Sequence, residues 1–460
     1  MATAKKRDLT EGPVWRALAA MSAPMSLGIF AVLSVGLADA YFLGQLSATA
    51  LAAVGFIYPV TTAVTSLSIG LSAGANATLS QSVGRGDADD DTRRLGIHAI
   101  GLGLALSSLT AVLVFVSYPY LFGAMGASEE VMKEISQYVP IWALSFPFLV
   151  VMMIANAVFR AHGDGATSAA IMVLAALFGV GLNPVLIFGW GPIPELGTMG
   201  AAVSTTVGRI VAMVVALWIA WRRGLLGVCG DVLQDLMNSI KRILNVGVPA
   251  AFSNAINPAG MALVTAAVAT VGEAAVAGFG AATRVQSLAL VPLMALSSGI
   301  GPVVGQNWGA EAQDRAQTAT QQAFTFCLLY GLGLGVILVL FGETFAGRLA
   351  NGGEAADYAT QYLQIVGLSM FGYGVVVVAN AAMNARDKAV WSMTLSLSRI
   401  FIIYLPLAWA GVMLFGYTGI LAAAVLANVL GAWAALAATR ATGLIRLDLP
   451  GIKTPLTRYA

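Results

Sequence analysis

The sequence predicts an all-α integral membrane protein with about twelve transmembrane helices in two pseudo-symmetric six-helix halves. Three observations predict this fold: a strongly apolar composition, about twelve apolar segments long enough to cross a bilayer, and an internal repeat. Of the 460 residues, 58% are hydrophobic and only 10% are charged. An average soluble protein has about 25% charged residues. A soluble domain of this size could not bury so much apolar surface, so the bilayer must act as the solvent.

The apolar segments are predicted to be helices, because only helices and closed barrels satisfy the backbone in lipid and these segments lack strand-like alternation. A spanning helix needs about 20 mostly apolar residues. The segments lie near residues 15–43, 50–81, 95–121, 134–160, 166–190, 197–221, 243–271, 276–305, 315–341, 358–384, 389–415 and 418–441. The connecting loops alternate between basic and acidic. The positive-inside rule therefore predicts that both termini and the basic loops are cytoplasmic.

The repeat relates residues 51–84 to residues 276–309 at a constant offset of 225, with no gap. The segment ANAVFRAHGD at 155–164 resembles ANAAMNARD at 379–387, and GTMGAA at 197–202 resembles GYTGIL at 416–421. We predict an N-terminal lobe at 1–225, a cytoplasmic linker at 226–241, and a C-terminal lobe with a short cytoplasmic tail at 242–460. Six spans per half make this a parallel repeat about an axis along the membrane normal. Transporters bind substrate between such repeats, which favours a carrier over a channel.

Of the 22 acidic residues, 21 lie in predicted loops, tails or helix ends, and Asp39 alone lies well inside a predicted span, in the segment AVLSVGLADAYFLGQL at 31–46. A carboxylate at the centre of a membrane helix costs about 2.5–3.5 kcal/mol on insertion scales. We favour a proton or cation site in a cavity open to the outside over an interfacial aspartate. Pro24 precedes Asp39 on the same helix and is either a hinge or an ordinary membrane-helix proline. Arg209, Arg284 and Arg399 also lie inside spans, and their roles stay open between structural, cavity-lining and substrate-binding.

The sequence contains no nucleophile motif, no phosphate-binding loop and no metal-ligand cluster. We therefore expect neither an enzyme nor a built-in ATPase, and no cofactor, metal site or nucleic-acid partner.

Four segments resemble the multidrug and toxic compound extrusion (MATE) family: ADAYFLGQLSATALAAVG at 38–55, QSVGRGD at 81–87, FRAHGDGAT at 159–167 and NPVLIFG at 183–189. The resemblance covers nearly the whole chain and is greatest to the prokaryotic, DinF-like branch. It implies an antiporter that expels cationic amphiphilic compounds against an inward flow of H⁺ or Na⁺. It also implies a first-half polar cluster and substrate cavity around Asp39, with Pro24 as the hinge. The cluster comprises Tyr138, Asn156, Asn183 and Thr205, for each of which a polar group satisfied between helices is the alternative.

The branch usually carries a second aspartate where this chain has Asn183, and one carboxylate attracts Na⁺ less than two. We therefore favour H⁺ as the coupling ion. The predicted function is proton-coupled multidrug efflux by alternating access, by a monomer surrounded by lipid in a prokaryotic inner membrane. Two alternatives stay open. A lipid or lipid-linked oligosaccharide flippase of the same superfamily would need arginines converging on the cavity, and a passive channel would show uncoupled flux.

Overall fold

The computed structural model describes residues 8–227, 230–349 and 352–446, which form α-helices joined by short turns. The first half contains α1 Val14–Leu46, α2 Ala48–Arg85, α3 Asp89–Ala124, α4 Glu129–Ala161, α5 Gly165–Phe188 and α6 Thr198–Arg222. The second half contains α7 Leu236–Ala269, α8 Glu273–Ala289, α9 Val291–Gly309, α10 Gln313–Leu349, α11 Gly353–Gly367, α12 Met370–Ala385, α13 Ala389–Leu397, α14 Leu405–Phe415 and α15 Tyr417–Ala441. A π-helical segment, Ser398–Tyr404, joins α13 to α14.

The twelve predicted spans correspond to these helices, which confirms the predicted all-α membrane fold. Within the described ranges, 10 helices are long and apolar enough to cross a membrane, or up to 12 if each of two bent pairs is one span. The predicted spans at 276–305 and 358–384 are those bent pairs. The chain bends by 45° between α8 and α9 and by 61° between α11 and α12. Pro292 opens α9, where its missing N–H is tolerated.

Each half has its own large buried core, and residues cross between the cores where the halves meet. Leu9, Leu18 and Met21 pack into the core of the second half, although they precede or open α1. The predicted linker at 226–241 is shorter in the structure because α7 already begins at Leu236. Positions 228 and 229 of that linker, together with residues 1–7 and 447–460, lie outside the described residues.

The halves meet at the end of the molecule where α1 begins and α2 ends, which we call the basic end because it holds Arg85, Arg93, Arg94 and Arg223. The opposite, acidic end holds Glu129, Glu130 and Glu273. At the basic end α2 packs along α7 and crosses α9.

Backbone contact at this crossing is close because glycine lies at both sides of it. A Cβ atom on Gly84 would lie 2.0 Å from the Gln306 carbonyl oxygen, and one on Gly309 would lie 2.2 Å from the Gln81 carbonyl oxygen. Gln81 donates its Nε2–H to the Ala385 carbonyl, and Gln306 donates its Nε2–H to the Ala161 carbonyl, each at 2.7 Å. The two glutamines are repeat equivalents, so a pseudo-symmetric pair of hydrogen bonds holds the halves together at the basic end.

Contact between the halves weakens toward the acidic end of the molecule. Gly55, in the first turns of α2, has no atom within 4 Å of its Cβ position, and the same is true of its repeat equivalent Gly280 in α8. At Gly70, further along α2, packing against the second half is close, and a Cβ would lie 2.5 Å from Ala251. The halves are thus closed at the basic end, and any cavity between them faces the acidic end.

Candidate functional site

Asp39 lies seven residues before the end of α1, on the acidic-end side of the membrane segment, and is half-buried. Its Oδ1 accepts a hydrogen bond from Nδ2 of Asn183 on α5, at 2.5 Å. Asn183 is fully buried, and its own Oδ1 accepts a hydrogen bond from the Ser204 hydroxyl on α6. The carboxylate is thereby connected to two further helices through one chain of hydrogen bonds.

The guanidinium group of Arg209 lies close to this chain of hydrogen bonds. Arg209 of α6 interacts electrostatically with Asp39 and with Tyr138 of α4. Its Nη1 donates to the Ser145 hydroxyl at 2.5 Å, and its Cζ lies 5.7 Å from the centroid of the Trp142 ring. The positive charge partly offsets the charge of Asp39, so the membrane carboxylate is neither isolated nor surrounded only by apolar groups.

The structure places two members of the predicted cluster beside Asp39 and separates another from it. Tyr138 is buried beside Asp39, and Asn183 contacts Asp39 directly. Thr205 adjoins Ser204, and its buried hydroxyl has no partner among the described residues. Asn156 follows Tyr138 by 18 residues on the same helix, which corresponds to about 27 Å at 1.5 Å per residue. Asn156 therefore lies toward the basic end of α4 and does not belong to the cluster around Asp39.

Three residues of the site were not predicted: Ser204, Ser145 and Trp142. Ser204 precedes the predicted Thr205, and adjacent residues on a helix point about 100° apart. Both hydroxyl groups are visible in the sequence, but only the orientation of α6 in the structure shows that Ser204 is the one that reaches Asn183. The helix α1 is continuous through Pro24, so the hinge role of Pro24 remains a prediction.

Among the described residues, the second half has no counterpart of this site. The repeat equivalent of Asp39 is Val264, which is fully buried. Arg284 is exposed on α8, whereas Arg399 is buried and lines a cavity of the second half. No acidic residue is among the described residues that line this cavity. The two halves therefore share a fold but differ in the charge that each places inside the membrane.

A protein-family model named MatE matches this chain twice, over residues 24–185 and over residues 249–410. The chain belongs to the MATE family. The two matches cover equivalent stretches of the two halves, consistent with the repeat seen in the sequence. Membership confirms the resemblance predicted from the sequence and shows that the protein is a multi-pass membrane transporter and not an enzyme.

Relatives of this chain within the MATE family are named for different substrates. The chain is 33% identical to a protein of Shewanella oneidensis named FAD transporter, over 92% of this chain and 94% of that one. It is 26% identical to the probable multidrug resistance protein NorM of Thermotoga maritima, over 86% and 83% of the two chains. Among solved structures, a mutant of the Vibrio cholerae MATE transporter VcmN superimposes with a TM-score of 0.89 at 26% identity, covering 93% and 96%.

Proposed function

We propose that the protein exports amphiphilic small molecules in exchange for protons, with Asp39 as the proton-binding residue. The observation that carries this proposal is the hydrogen-bonded chain from Asp39 through Asn183 to Ser204, which connects α1, α5 and α6. An ionised Asp39 only accepts hydrogen bonds, whereas a protonated one also donates. Protonation therefore changes the hydrogen bonds that the Asp39 carboxyl group can make. These hydrogen bonds lie where α1, α5 and α6 meet.

The geometry also supports protons over sodium as the coupling ion. Sodium binding at one carboxylate is already weaker than at two, and Arg209 adds a positive charge close to the same place. A proton needs no additional ligands, because it binds to the carboxylate itself. Asn183 can still offer its carbonyl oxygen, but that atom already accepts the Ser204 hydroxyl.

Coupling requires that protonation and substrate favour different states of one element. In this proposal the element is α1. With Asp39 ionised, α1 stays connected to α5 and the lobes stay closed at the basic end. Protonation weakens that connection, α1 bends near Pro24, and the substrate leaves toward the acidic end. The inner-membrane location, the cytoplasmic basic end and the monomeric state predicted from the sequence complete the proposal.

Two substrate classes stand as candidates. The names of relatives such as NorM support the cationic amphiphiles predicted from the sequence. The Shewanella relative supports a second candidate, flavin adenine dinucleotide, which is an anion. The observation that favours this second class is the buried, cavity-lining Arg399.

The test is transport by protein reconstituted into liposomes, with pH and Na⁺ gradients imposed separately and with ethidium or FAD as the transported probe. We expect transport of one probe to follow the pH gradient and to be lost in Asp39→Asn. The control is Asp314→Asn, which makes the same chemical change at an exposed position. Gradient-driven transport that persists in well-folded Asp39→Asn protein would refute the proposal. Flux that ignores both gradients would favour the channel alternative.

A further inference from the structure

A cavity of about 180 Å³ lies inside the second half, bounded by α7, α8, α11, α12, the π-helical segment and α15. This volume is below the range of about 300–1,000 Å³ that is typical of drug-sized ligands. The cavity therefore suits one chemical group of a larger molecule. Its lining combines tyrosine rings, amides and hydroxyls with one charged residue, Arg399.

Arg399 is held in place by neutral groups and not by a carboxylate. Its Nη2 donates to Oδ1 of Asn257 at 2.6 Å, and its Nη1 donates to Oδ1 of Asn428 at 3.2 Å. Its Cζ lies 5.3 Å from the centroid of the Tyr373 ring. The titratable side chains that face it among the described residues are tyrosines, which are neutral at pH 7, and no acid is among them.

This arrangement leaves the charge of Arg399 without an anion and one of its donors without an acceptor. The side chain is only 6% exposed, and its Nε–H is buried with no hydrogen-bond partner in the part of the chain that the structure describes. A buried cation is costly unless it is paired. The position has room for the arginine because Gly431 faces it, where a Cβ would lie 2.9 Å from Cδ of Arg399.

Three irregularities of the helices converge on the same cavity. Leu290, at the bend between α8 and α9, lines it, and so do residues on both sides of the bend between α11 and α12. Arg399 and Tyr404 belong to the π-helical segment. The equivalent helices of the first half, α2, α4 and α5, are continuous. Broken helices and π-helical turns in membrane proteins recur at binding sites, because they open backbone and side chains toward a ligand.

We propose that this cavity binds an anionic group, a carboxylate or a phosphate, of an aromatic or amphiphilic substrate, with Arg399 as its charge partner. The planar guanidinium suits both anions, and the tyrosine rings supply apolar surface for the adjoining part of the ligand. The inference deepens the proposed function and rests on it only in taking the ligand to be the transported substrate. Anion binding itself does not depend on whether Asp39 couples transport to protons.

The test is isothermal titration calorimetry on the purified full-length protein with three probes that share a naphthalene ring: 2-naphthyl phosphate, 2-naphthoate and 2-naphthylmethylammonium. We expect at least one anion to bind about tenfold or more tightly than the ammonium probe. Comparison of the two anions distinguishes a phosphate site from a carboxylate site. Arg399→Gln should abolish the preference for the anion, and Arg399→Lys should keep part of it. The matched control is Arg284→Gln, which removes an exposed arginine from α8.

The thermal unfolding temperature of the wild type is a second measurement of binding, and it needs no variant. The preferred anion should raise the unfolding temperature, and the ammonium probe should not. Equal binding of all three probes, or anion binding undiminished in folded Arg399→Gln protein, would overturn the inference. Asp39→Asn should keep the preference for the anion over the ammonium probe, because Arg399 sets that preference, while a change in overall affinity would reflect the proposed coupling. This comparison separates failure of this inference from failure of the proposed proton coupling.

Discussion

At the scale of single residues, the two halves differ in the charged residues that they place inside the membrane: Asp39 with Arg209 in the first half, and Arg399 in the second. Asp39 accepts a hydrogen bond from Asn183 in the first half, and Arg209 partly offsets its charge. Arg399 in the second half is bound by two asparagine side chains. The repeat equivalent of Asp39 is an apolar residue, so duplication of the fold did not duplicate its chemistry.

The choice of asparagine at position 183 leads to a prediction about ion selectivity. In Asn183→Asp, two carboxylates would stand within hydrogen-bond distance of each other, since the atoms joined in the wild type are 2.5 Å apart. Two adjacent negative charges attract a sodium ion more strongly than one. We expect a Na⁺ gradient to drive transport in this variant and to have little effect on the wild type, measured in liposomes at fixed pH.

The control for Asn183→Asp is Asn238→Asp, which adds the same charge at an exposed position near the start of α7. A Na⁺ response in both variants would show that it arises from net charge, and no response in either would contradict the site assigned here.

At the scale of elements, the crossing of α2 and α9 closes the basic end, and glycine makes that closure possible. In Gly84→Ala the added methyl group would overlap the backbone of Gln306. Overpacking of this kind typically costs about 1–3 kcal/mol, and here the halves can relieve it by separating. We expect the basic end to open and the thermal stability to fall.

The opening can be measured as maleimide labelling of Ser80→Cys, which is fully buried at this crossing, in a background that carries Cys229→Ser and Cys327→Ser. Labelling should be several times faster in Gly84→Ala than in its parent. Gly55→Ala is the matched control on the same helix, because its Cβ position is open. Equal labelling in the parent and in Gly84→Ala would mean that this crossing does not close the basic end.

Elements also show where sequence reasoning succeeds and where it stops. The length of the apolar segments located the spans, because the thickness of the bilayer sets a minimum length for any helix that crosses it. The bends at α8–α9 and α11–α12 were not predicted, since prolines also occur inside helices that stay continuous, such as α4 with Pro140 and Pro147. Asn183, which the motif with Pro184 had indicated, contacts Asp39 in the structure. Asn156 lies far from Asp39 along α4, a separation that the sequence did not indicate because it does not give the depth of a residue along its helix.

At the scale of the whole molecule, the proposal depends on which end of the protein faces the cytoplasm. Basic loops at one end predict that this closed end is cytoplasmic and that the opposite, acidic end faces outward. Alkaline phosphatase folds only where its disulfides form, outside the cytoplasm. We expect activity when it is fused after Gly272, at the acidic end, and none when it is fused after Ala310, at the basic end. The reverse pattern would invert the proposed transport direction.

The central claim is that Asp39 couples movement of substrate to movement of protons. Coupling between two ligands is reciprocal, so a substrate gradient must drive protons just as protons drive substrate. The most direct measurement is therefore the pH change inside dye-loaded proteoliposomes when a gradient of the transported probe is imposed without a pH gradient. We predict a proton flux opposite to the probe in the wild type and none in Asp39→Asn. An equal proton flux in folded Asp39→Asn protein would contradict the claim.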